Sequence, residues 1–213
     1  MKIVFLGDTH GHFNSIEYAI KRQDADMFIH VGDVGIGFGN TCPGFSKPIF
    51  FIDGNHDNHI QLQKAVKDSK LEIAPNLFYI PRASSLNVNG ITINCIGGAN
   101  SIDKHYRVEG KSWWREEIPN HKEMMDFAKL PKADIVVTHT APIGVLERFN
   151  FRNIDPVSTD LESILSTMHN KPKYWVFGHI HEYFEKEYKG IQFICVPCTH
   201  DTHDYSLGYS IEI

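Results

Sequence analysis

The chain contains five short apolar runs that each end at a glycine or a polar residue. They cover residues 3–6, 27–29, 49–52, 135–137 and 174–177 and are rich in Ile, Val, Phe and Trp. Runs of about four such residues are typical of strands that are buried on both faces. In an open α/β sheet, ligand sites gather at the ends of such strands. The pattern therefore predicts an α/β fold whose functional residues follow these five runs.

Helical spacing of apolar residues predicts four helices, over residues 12–22, 58–70, 121–129 and 160–169. Asn14 or Ser15 is the candidate cap of the first helix. The second helix is expected to turn Ile60, Leu62, Ala65 and Val66 inward.

Short strands are predicted at residues 76–80, 84–88, 91–96, 183–188, 191–196 and 206–213. Asn89-Gly90 separates two of them and is a strong signal for a hairpin. Hairpins that follow parallel units favour a mixed sheet or two sheets packed face to face. Residues 97–119 show no regular pattern, and loops of that length in compact domains are usually functional or mobile.

Composition narrows the class of protein. A chain of 213 residues with 42% hydrophobic and 22% charged residues is expected to form one domain, residues 1–213. A net charge of −5 argues against a surface devoted to nucleic acid, although it leaves a nucleotide or nucleic acid substrate possible. The apolar runs are too short for a membrane span or a signal peptide, so a cytoplasmic protein is expected. Cys195 and Cys198 have the spacing of a redox or zinc motif but lack its context, and plain reduced thiols are expected.

Metal-type ligands follow each of the five apolar runs. The segments are Gly7-Asp8-Thr9-His10-Gly11, Gly32-Asp33, Gly54-Asn55-His56-Asp57, Thr138-His139 and Gly178-His179-Ile180-His181. Asp, Asn and His side chains suit borderline or hard divalent ions rather than thiolate chemistry. Asp33, in a glycine-walled turn, suits a bridging role between two ions. The sequence therefore predicts a metal site, with two ions expected.

These segments, in this order, resemble the calcineurin-like metallophosphoesterase superfamily, whose pattern is Asp-x-His, Gly-Asp, Gly-Asn-His-Asp/Glu, His and Gly-His-x-His. The resemblance implies a four-layer α/β/β/α sandwich of two mixed β-sheets flanked by helices. It also implies that Asp8, His10 and His181 hold one ion, that Asn55, His139 and His179 hold the other, and that Asp33 bridges them. Two divalent metal ions are expected, with manganese favoured and iron, zinc, nickel or magnesium compatible.

The resemblance further implies a hydrolase that cleaves a phosphodiester or phosphomonoester by attack of a hydroxide that bridges the metals. His56 would protonate the leaving group, and Asp57 would fix the tautomer of that imidazole. The expected partner is a small phosphate ester or a nucleotide, and the oligomeric state is left open. A non-catalytic scaffold of the same fold is the competing class, but all the ligand positions are intact.

The chain departs from the protein serine/threonine phosphatases of the superfamily, which its start otherwise resembles. Those enzymes carry an Asp-Arg-Gly segment after the bridging Asp, whereas residues 34–39 here contain no Arg. A protein phosphatase is therefore kept only as an alternative. Lys104 and Arg107 are candidate phosphate-binding residues. Trp113 and Trp114 either stack on a nucleobase or pack the loop onto the core.

Overall fold

The computed structural model describes residues 1–151, 155–199 and 208–213. Within these residues the strands are β1 (Lys2–Leu6), β2 (Met27–His30), β3 (Ile49–Phe51), β4 (Glu72–Ala74), β5 (Leu77–Tyr79), β6 (Ser84–Val88), β7 (Ile91–Ile96), β8 (Ile135–Thr138), β9 (Tyr174–Phe177), β10 (Phe184–Tyr188), β11 (Ile191–Cys195) and β12 (Tyr209–Glu212). The helices are α1 (Phe13–Arg22), α2 (His59–Lys67), α3 (His121–Ala128), α4 (Ile143–Arg148) and α5 (Pro156–Thr167).

The strands form two six-stranded sheets with matching plans. One sheet has the order β12-β1-β2-β3-β5-β4 and the other the order β10-β11-β9-β8-β7-β6. In each sheet four central strands run parallel and both edge strands run antiparallel to their neighbours. The predicted mixed sheets are confirmed. The plan also brings the carboxyl ends of β1, β2 and β3, and of β8 and β9, to one edge of each sheet.

Three apolar clusters separate four layers, because successive strand side chains point to opposite faces. Ile3 and Phe5 of β1 belong to the cluster between the sheets, whereas Val4 and Leu6 face the cluster that contains Ile16 of α1. On the other side, side chains of β9 and β11 pack against α3 and α5. The α/β/β/α sandwich expected from the sequence is therefore the fold observed.

Strand positions match the sequence predictions more closely than helix positions do. The hairpin at Asn89-Gly90 is present, and both residues have positive φ values, 52° and 84°, as a two-residue type I′ turn requires. Strands 84–88, 91–96 and 174–177 were predicted with their observed bounds. Of the predicted terminal strand 206–213, residues 206 and 207 lie outside the described part of the chain.

Several helix predictions were wrong. Helix α1 begins after His12, and no side chain caps it, so neither Asn14 nor Ser15 has that role. Helix α2 is capped by Asn58 and buries His59 and Leu62, while Ile60 and Val66 are exposed. Helix α5 begins at Pro156, four residues earlier than predicted, because Asp155 caps it through the Val157 N–H. Strand β4 and helix α4 were missed, and both are six residues or shorter.

The second sheet is expected to depend on its aromatic core. Phe193 is fully buried and stacks on Trp175 at 5.3 Å between ring centroids. Phe193→Ala should lower the free energy of unfolding by about 3–5 kcal/mol, because it leaves a cavity. Urea denaturation measures this change. Phe78→Ala, at a half-buried position in the first sheet, is the control and should cost less; equal losses would contradict this account of the core.

Candidate metal centre

The seven predicted metal ligands come together at the carboxyl ends of the parallel strands. They are Asp8 and His10 after β1, Asp33 after β2, Asn55 after β3, His139 after β8, and His179 and His181 after β9. The two sheets contribute to the same site, because each delivers its ligands from the strand ends that face a common edge. Residues that are far apart in the sequence therefore lie close together in space.

One group of ligand atoms lies around the first predicted ion. Atoms of Asp8, His10, Asp33 and His181 all lie within 4.8 Å of one another. The Nε2 atom of His10 is 3.7 Å from Oδ2 of Asp33, and Nε2 of His181 is 3.7 Å from Oδ1 of Asp8. The two imidazoles present their Nε2 atoms 3.1 Å apart. Carboxylates and imidazoles that converge in this way could hold a cation.

A second group shares Asp33 with the first. Asp33, His139 and His179 also have ligand atoms within 4.8 Å of one another. The Nε2 atom of His139 lies 3.4 Å from Oδ1 of Asp33 and 3.1 Å from Oδ1 of Asn55. Asp33 thus turns Oδ2 toward the first group and Oδ1 toward the second. This is the arrangement that a carboxylate bridging two ions requires.

Most of the candidate ligands adopt an unusual backbone conformation. The φ values are 34° for Asp8, 46° for His10, 56° for Asp33, 68° for His179 and 62° for His181. Positive φ is uncommon for residues other than glycine and costs free energy, and it clusters at functional sites. A turn of this kind directs the side chain back over the strand end. The concentration of such residues here supports a functional rather than a structural role.

The glycines of the motifs make room for ligands from other motifs. A Cβ atom on Gly54 would lie 2.1 Å from Oδ1 of Asp33, and a Cβ atom on Gly178 would lie 2.4 Å from Oδ2 of Asp8. Neither distance is sterically possible, so any side chain at either position would displace a carboxylate. Gly54 and Gly178 are therefore part of the site, although they offer no ligand atom.

The charges of the centre favour a bound cation. Burial raises the pKa of Asp8 to about 8, so the carboxylate lacks a sufficient counter-charge among the protein side chains. Burial also acts to raise the pKa of Asp33, but His139, His56 and His10 together outweigh it and hold that pKa well below its usual range. Burial lowers the pKa of His10 to about 4 and that of His179 to about 3, which keeps both imidazoles neutral and able to ligate. Burial acts to lower the pKa of His139, but Asp33 and Asp8 raise it to about 10, so this imidazole would release a proton on ligating an ion. With that exchange, the donor set fits divalent ions.

The predicted role of Asp57 was wrong. Its Oδ1 atom accepts the backbone N–H groups of Gly35 and Ile36, at 2.9 and 3.1 Å, and its Oδ2 atom accepts those of Asp33 and Gly54, at 3.1 and 2.9 Å. These four bonds occupy the carboxylate, which makes no hydrogen bond to the His56 ring. Asp57 instead joins the loops that carry Asp33 and Asn55, and so fixes their relative position.

His56 and Arg107 lie beside the metal ligands. The His56 ring is 4.6 Å from the His10 ring, and its backbone N–H donates to Oδ1 of Asp33 at 2.6 Å. The Arg107 guanidinium donates to Nε2 of His56 and forms an ion pair with Asp103 at 2.7 Å. Both His56 and Arg107 line a cavity of about 400 Å³ that opens from the ligands. Lys104 does not line this cavity, so the structure brings only one of the two candidate phosphate-binding residues to the site.

The other features of the irregular segment are also resolved. Residues 97–119 contain two short 3-10 turns, Lys104–Tyr106 and Arg115–Glu117, and otherwise follow an irregular path. Trp114 is buried against Phe38 and His59, so packing is its role. Cys195 and Cys198 are buried, and Cys198 donates to the backbone carbonyl of Asp8 at 2.7 Å.

Sequence reasoning missed three residues near the centre. Ser101 and Glu117 are buried and lie behind Asn55. Asp155 lines the cavity, and its buried Oδ2 atom has no hydrogen-bond partner among the residues that the structure describes. None of them belongs to a motif or follows an apolar strand. The one sequence feature that could have indicated Ser101 and Glu117 was their position in the irregular segment, residues 97–119.

Comparison with known proteins agrees with this geometry. A sequence model of the calcineurin-like phosphoesterases matches residues 1–183, and the chain belongs to that family. It is 27% identical to a lariat debranching enzyme of Schizosaccharomyces pombe over 86% of its length, and 25% identical to human metallophosphoesterase domain-containing protein 1 over 85%. The chain spans 49% and 60% of the lengths of these two relatives.

The fold has solved counterparts. A phosphopantetheinyl hydrolase from Mycobacterium tuberculosis superposes with a TM-score of 0.55 over 99% of this chain and 95% of that one, at 14% sequence identity. A putative 5′-nucleotidase from Staphylococcus aureus gives a TM-score of 0.54 over 93% of this chain and 49% of that one, at 15% identity. These similarities confirm the fold. Within the described residues, no helix is long and apolar enough to cross a bilayer.

Metal binding should stabilise the fold through Asp33. Saturating Mn²⁺ is expected to raise the melting temperature of chelator-treated protein by about 5–10 °C, because an ion that binds only the folded state stabilises it. Asp33→Asn should abolish most of this shift, since it removes the charge common to both ligand groups. Differential scanning calorimetry measures the effect. His105→Ala, at an exposed histidine outside the centre, is the control; an unchanged shift in Asp33→Asn would contradict the bridging role.

Proposed function

We propose that the protein is a two-metal phosphoesterase that hydrolyses a phosphodiester or phosphomonoester, with nucleotide-type substrates favoured. The observation that carries this proposal is the position of Asp33, which belongs to two ligand groups at the floor of a cavity. Asp8, His10 and His181 would hold one ion, and Asn55, His139 and His179 the other. Bound there, two divalent ions would lower the pKa of a water molecule and polarise the phosphoryl group. Mn²⁺ is the first choice for assay.

His56 is the proposed proton donor to the leaving group. Its ring lines the cavity, while only its backbone contacts the bridging carboxylate. Burial lowers the pKa of His56, Asp33 opposes this shift, and Arg107 adds to it. The lowered pKa favours the neutral imidazole near pH 7, so the negative charge of a bound phosphate ester would have to raise that pKa before His56 can protonate a departing alkoxide. Asp57 acts indirectly, because it holds the loop on which His56 stands.

Arg107 is the proposed phosphate-binding residue. Its side chain is 91% buried at the cavity wall, and its Nη1 atom has no hydrogen-bond partner within residues 1–151, 155–199 and 208–213. A buried guanidinium with a free donor is suited to a phosphoryl oxygen, because charge-assisted hydrogen bonds are the strong ones. The residue therefore supplies part of the positive charge that the missing Arg after Asp33 would have supplied.

The apolar part of the cavity lining favours an organic group of nucleoside character. Ile102, Leu146, Phe151 and Ile180 present apolar surface there, and Asp155 adds a carboxylate beside them. Apolar side chains can pack on the faces of a base, and the carboxylate can accept a hydrogen bond from a hydroxyl or amino group. The name of the fission yeast relative, a lariat debranching enzyme, supports a nucleotide-type phosphodiester as well.

Two alternatives are less well supported. A protein serine/threonine phosphatase lacks support because residues 34–39 contain no Arg to bind a phosphomonoester. A non-catalytic scaffold would not need to keep seven ligands, five of them in left-handed conformations, together with His56 at the cavity wall. The intact centre therefore favours an enzyme.

His56→Ala should separate metal binding from turnover. The variant is expected to bind metal as the wild type does, because the N–H that contacts Asp33 belongs to the backbone. Turnover should fall about 10²–10⁴-fold for substrates with poor, alkoxide-like leaving groups, and less for p-nitrophenolate, which needs no proton. Steady-state kinetics on a matched pair of thymidine diesters, one with each type of leaving group, measures this difference. Equal losses on both substrates, or loss of the metals, would refute the assignment.

Arg107→Ala should weaken substrate binding, with Lys104→Ala as its matched control on the same segment. The loss of a charged hydrogen bond is expected to lower kcat/KM about 10–100-fold. The assay panel comprises bis-p-nitrophenyl phosphate, p-nitrophenyl phosphate, cyclic nucleotides, a nucleoside diester and a phosphopeptide. We expect the nucleoside diester to be the best substrate. Preference for the phosphopeptide, or an equal loss in the Lys104→Ala protein, would contradict this substrate assignment.

A further inference from the structure

The side-chain amide of Asn55 is held at both ends. Its Oδ1 atom lies 3.1 Å from Nε2 of His139, and its Nδ2 atom donates to the hydroxyl of Ser101 at 3.1 Å. Asn55 is 3% exposed, so its amide is almost fully shielded from bulk solvent. An amide has an oxygen that can ligate a cation and a nitrogen that cannot, so the choice between its two orientations decides whether Asn55 is a ligand.

Glu117 determines which way the Ser101 hydroxyl points. The hydroxyl donates to Oε2 of Glu117 at 2.6 Å, and the backbone N–H of Ser101 donates to Oε1 at 2.7 Å. A hydroxyl has a single hydrogen, which the carboxylate takes in this arrangement. The oxygen of Ser101 can therefore only accept a hydrogen bond from Asn55. The end of the amide that faces Ser101 must be the NH₂ group, and Oδ1 is directed toward His139 and Asp33.

The far end of this chain of hydrogen bonds is anchored to the same loop that carries Asn55. The Arg82 guanidinium donates to the backbone carbonyls of Glu116 and Glu117, at 2.8 and 3.1 Å, and to Oδ2 of Asp53 at 2.6 Å. Asp53 is two residues before Asn55, so Arg82 fixes the distance between Glu117 and the ligand loop. Glu117 is fully buried, and both oxygens of its carboxylate accept hydrogen bonds from Ser101.

We propose that Ser101 and Glu117 are positioning residues that set the orientation of the Asn55 amide, and so complete the site of the ion held with His139 and His179. The inference rests on the proposed function in one respect, which is that the centre binds two ions. Without the hydroxyl, either end of the amide can face the centre. An amide NH₂ group turned toward a cation is repulsive, so the affinity of one site falls while the other site is unaffected.

The test compares Mn²⁺ binding by Ser101→Ala, Glu117→Gln and wild-type protein, by isothermal titration calorimetry and electron paramagnetic resonance. We expect one of the two ions to bind about 10–100-fold more weakly in both variants, the usual effect of losing a group that orients a ligand. At limiting metal, the electron paramagnetic resonance spectrum of the wild type should show a coupled pair of Mn²⁺ ions, and that of each variant should show a single ion. Ser112→Ala is the control, because Ser112 lies on the same segment and its hydroxyl accepts only a backbone N–H.

A second readout does not require metal. In ¹H–¹⁵N spectra of the whole chain, the side-chain NH₂ signals of Asn55 should shift or exchange faster in Ser101→Ala and stay unchanged in Ser112→Ala. Wild-type binding of both ions by Ser101→Ala and Glu117→Gln would overturn the inference, as would equal weakening of both ions in variants with wild-type melting temperatures. A wild-type protein that binds no second ion would instead refute the proposed function, and unchanged NH₂ signals in Ser101→Ala would then refute the inference separately. If Glu117→Gln does not fold, Ser101→Ala decides.

Discussion

The structure depends on a single buried carboxylate, that of Asp33, which contacts groups from three other strand ends, those of β1, β3 and β8. It lies 3.7 Å from His10 and 3.4 Å from His139, and it accepts the backbone N–H of His56 at 2.6 Å. Its own backbone N–H is held by Asp57. A buried charge is destabilising unless it is paired and hydrogen-bonded, so these contacts are needed to keep the Asp33 carboxylate ionised in the interior. The two sheets meet at this residue, and the cavity begins there.

The conformational cost of the centre is distributed over the fold. Five ligands have positive φ values, and Asp8 is a buried carboxyl group with a raised pKa. Apolar cores pack on both faces of each sheet, and four backbone N–H groups donate hydrogen bonds to the Asp57 carboxylate. Together these contacts hold the unfavourable conformations in place. Such preorganisation places the ligands before any ion arrives, which reduces the entropy lost on binding.

How much of this could be predicted from the sequence depends on the range of the contacts. The central strands and the seven ligands follow a local signal, an apolar run followed by a polar residue, and resemblance to a family supplied their roles. Asn58 caps helix α2 and Asp155 caps helix α5. These caps set where each helix begins and which face of α2 is exposed, whereas the predictions relied on the spacing of apolar residues alone. The observed role of Asp57, and Ser101 altogether, escaped prediction because most of their partners are 16 to 46 residues away and leave no periodic trace. The same holds for Glu117.

The segment between Gly97 and Pro119 combines two kinds of position that evolution can treat differently. Its two ends, at Ser101 and Glu117, are bonded to each other and to the ligand loop, whereas Tyr106 and Val108 near its middle are exposed. The middle can therefore diverge, lengthen or acquire new side chains while the ends stay constant. A lineage with this architecture can change the molecules it acts on without rebuilding the centre that does the chemistry.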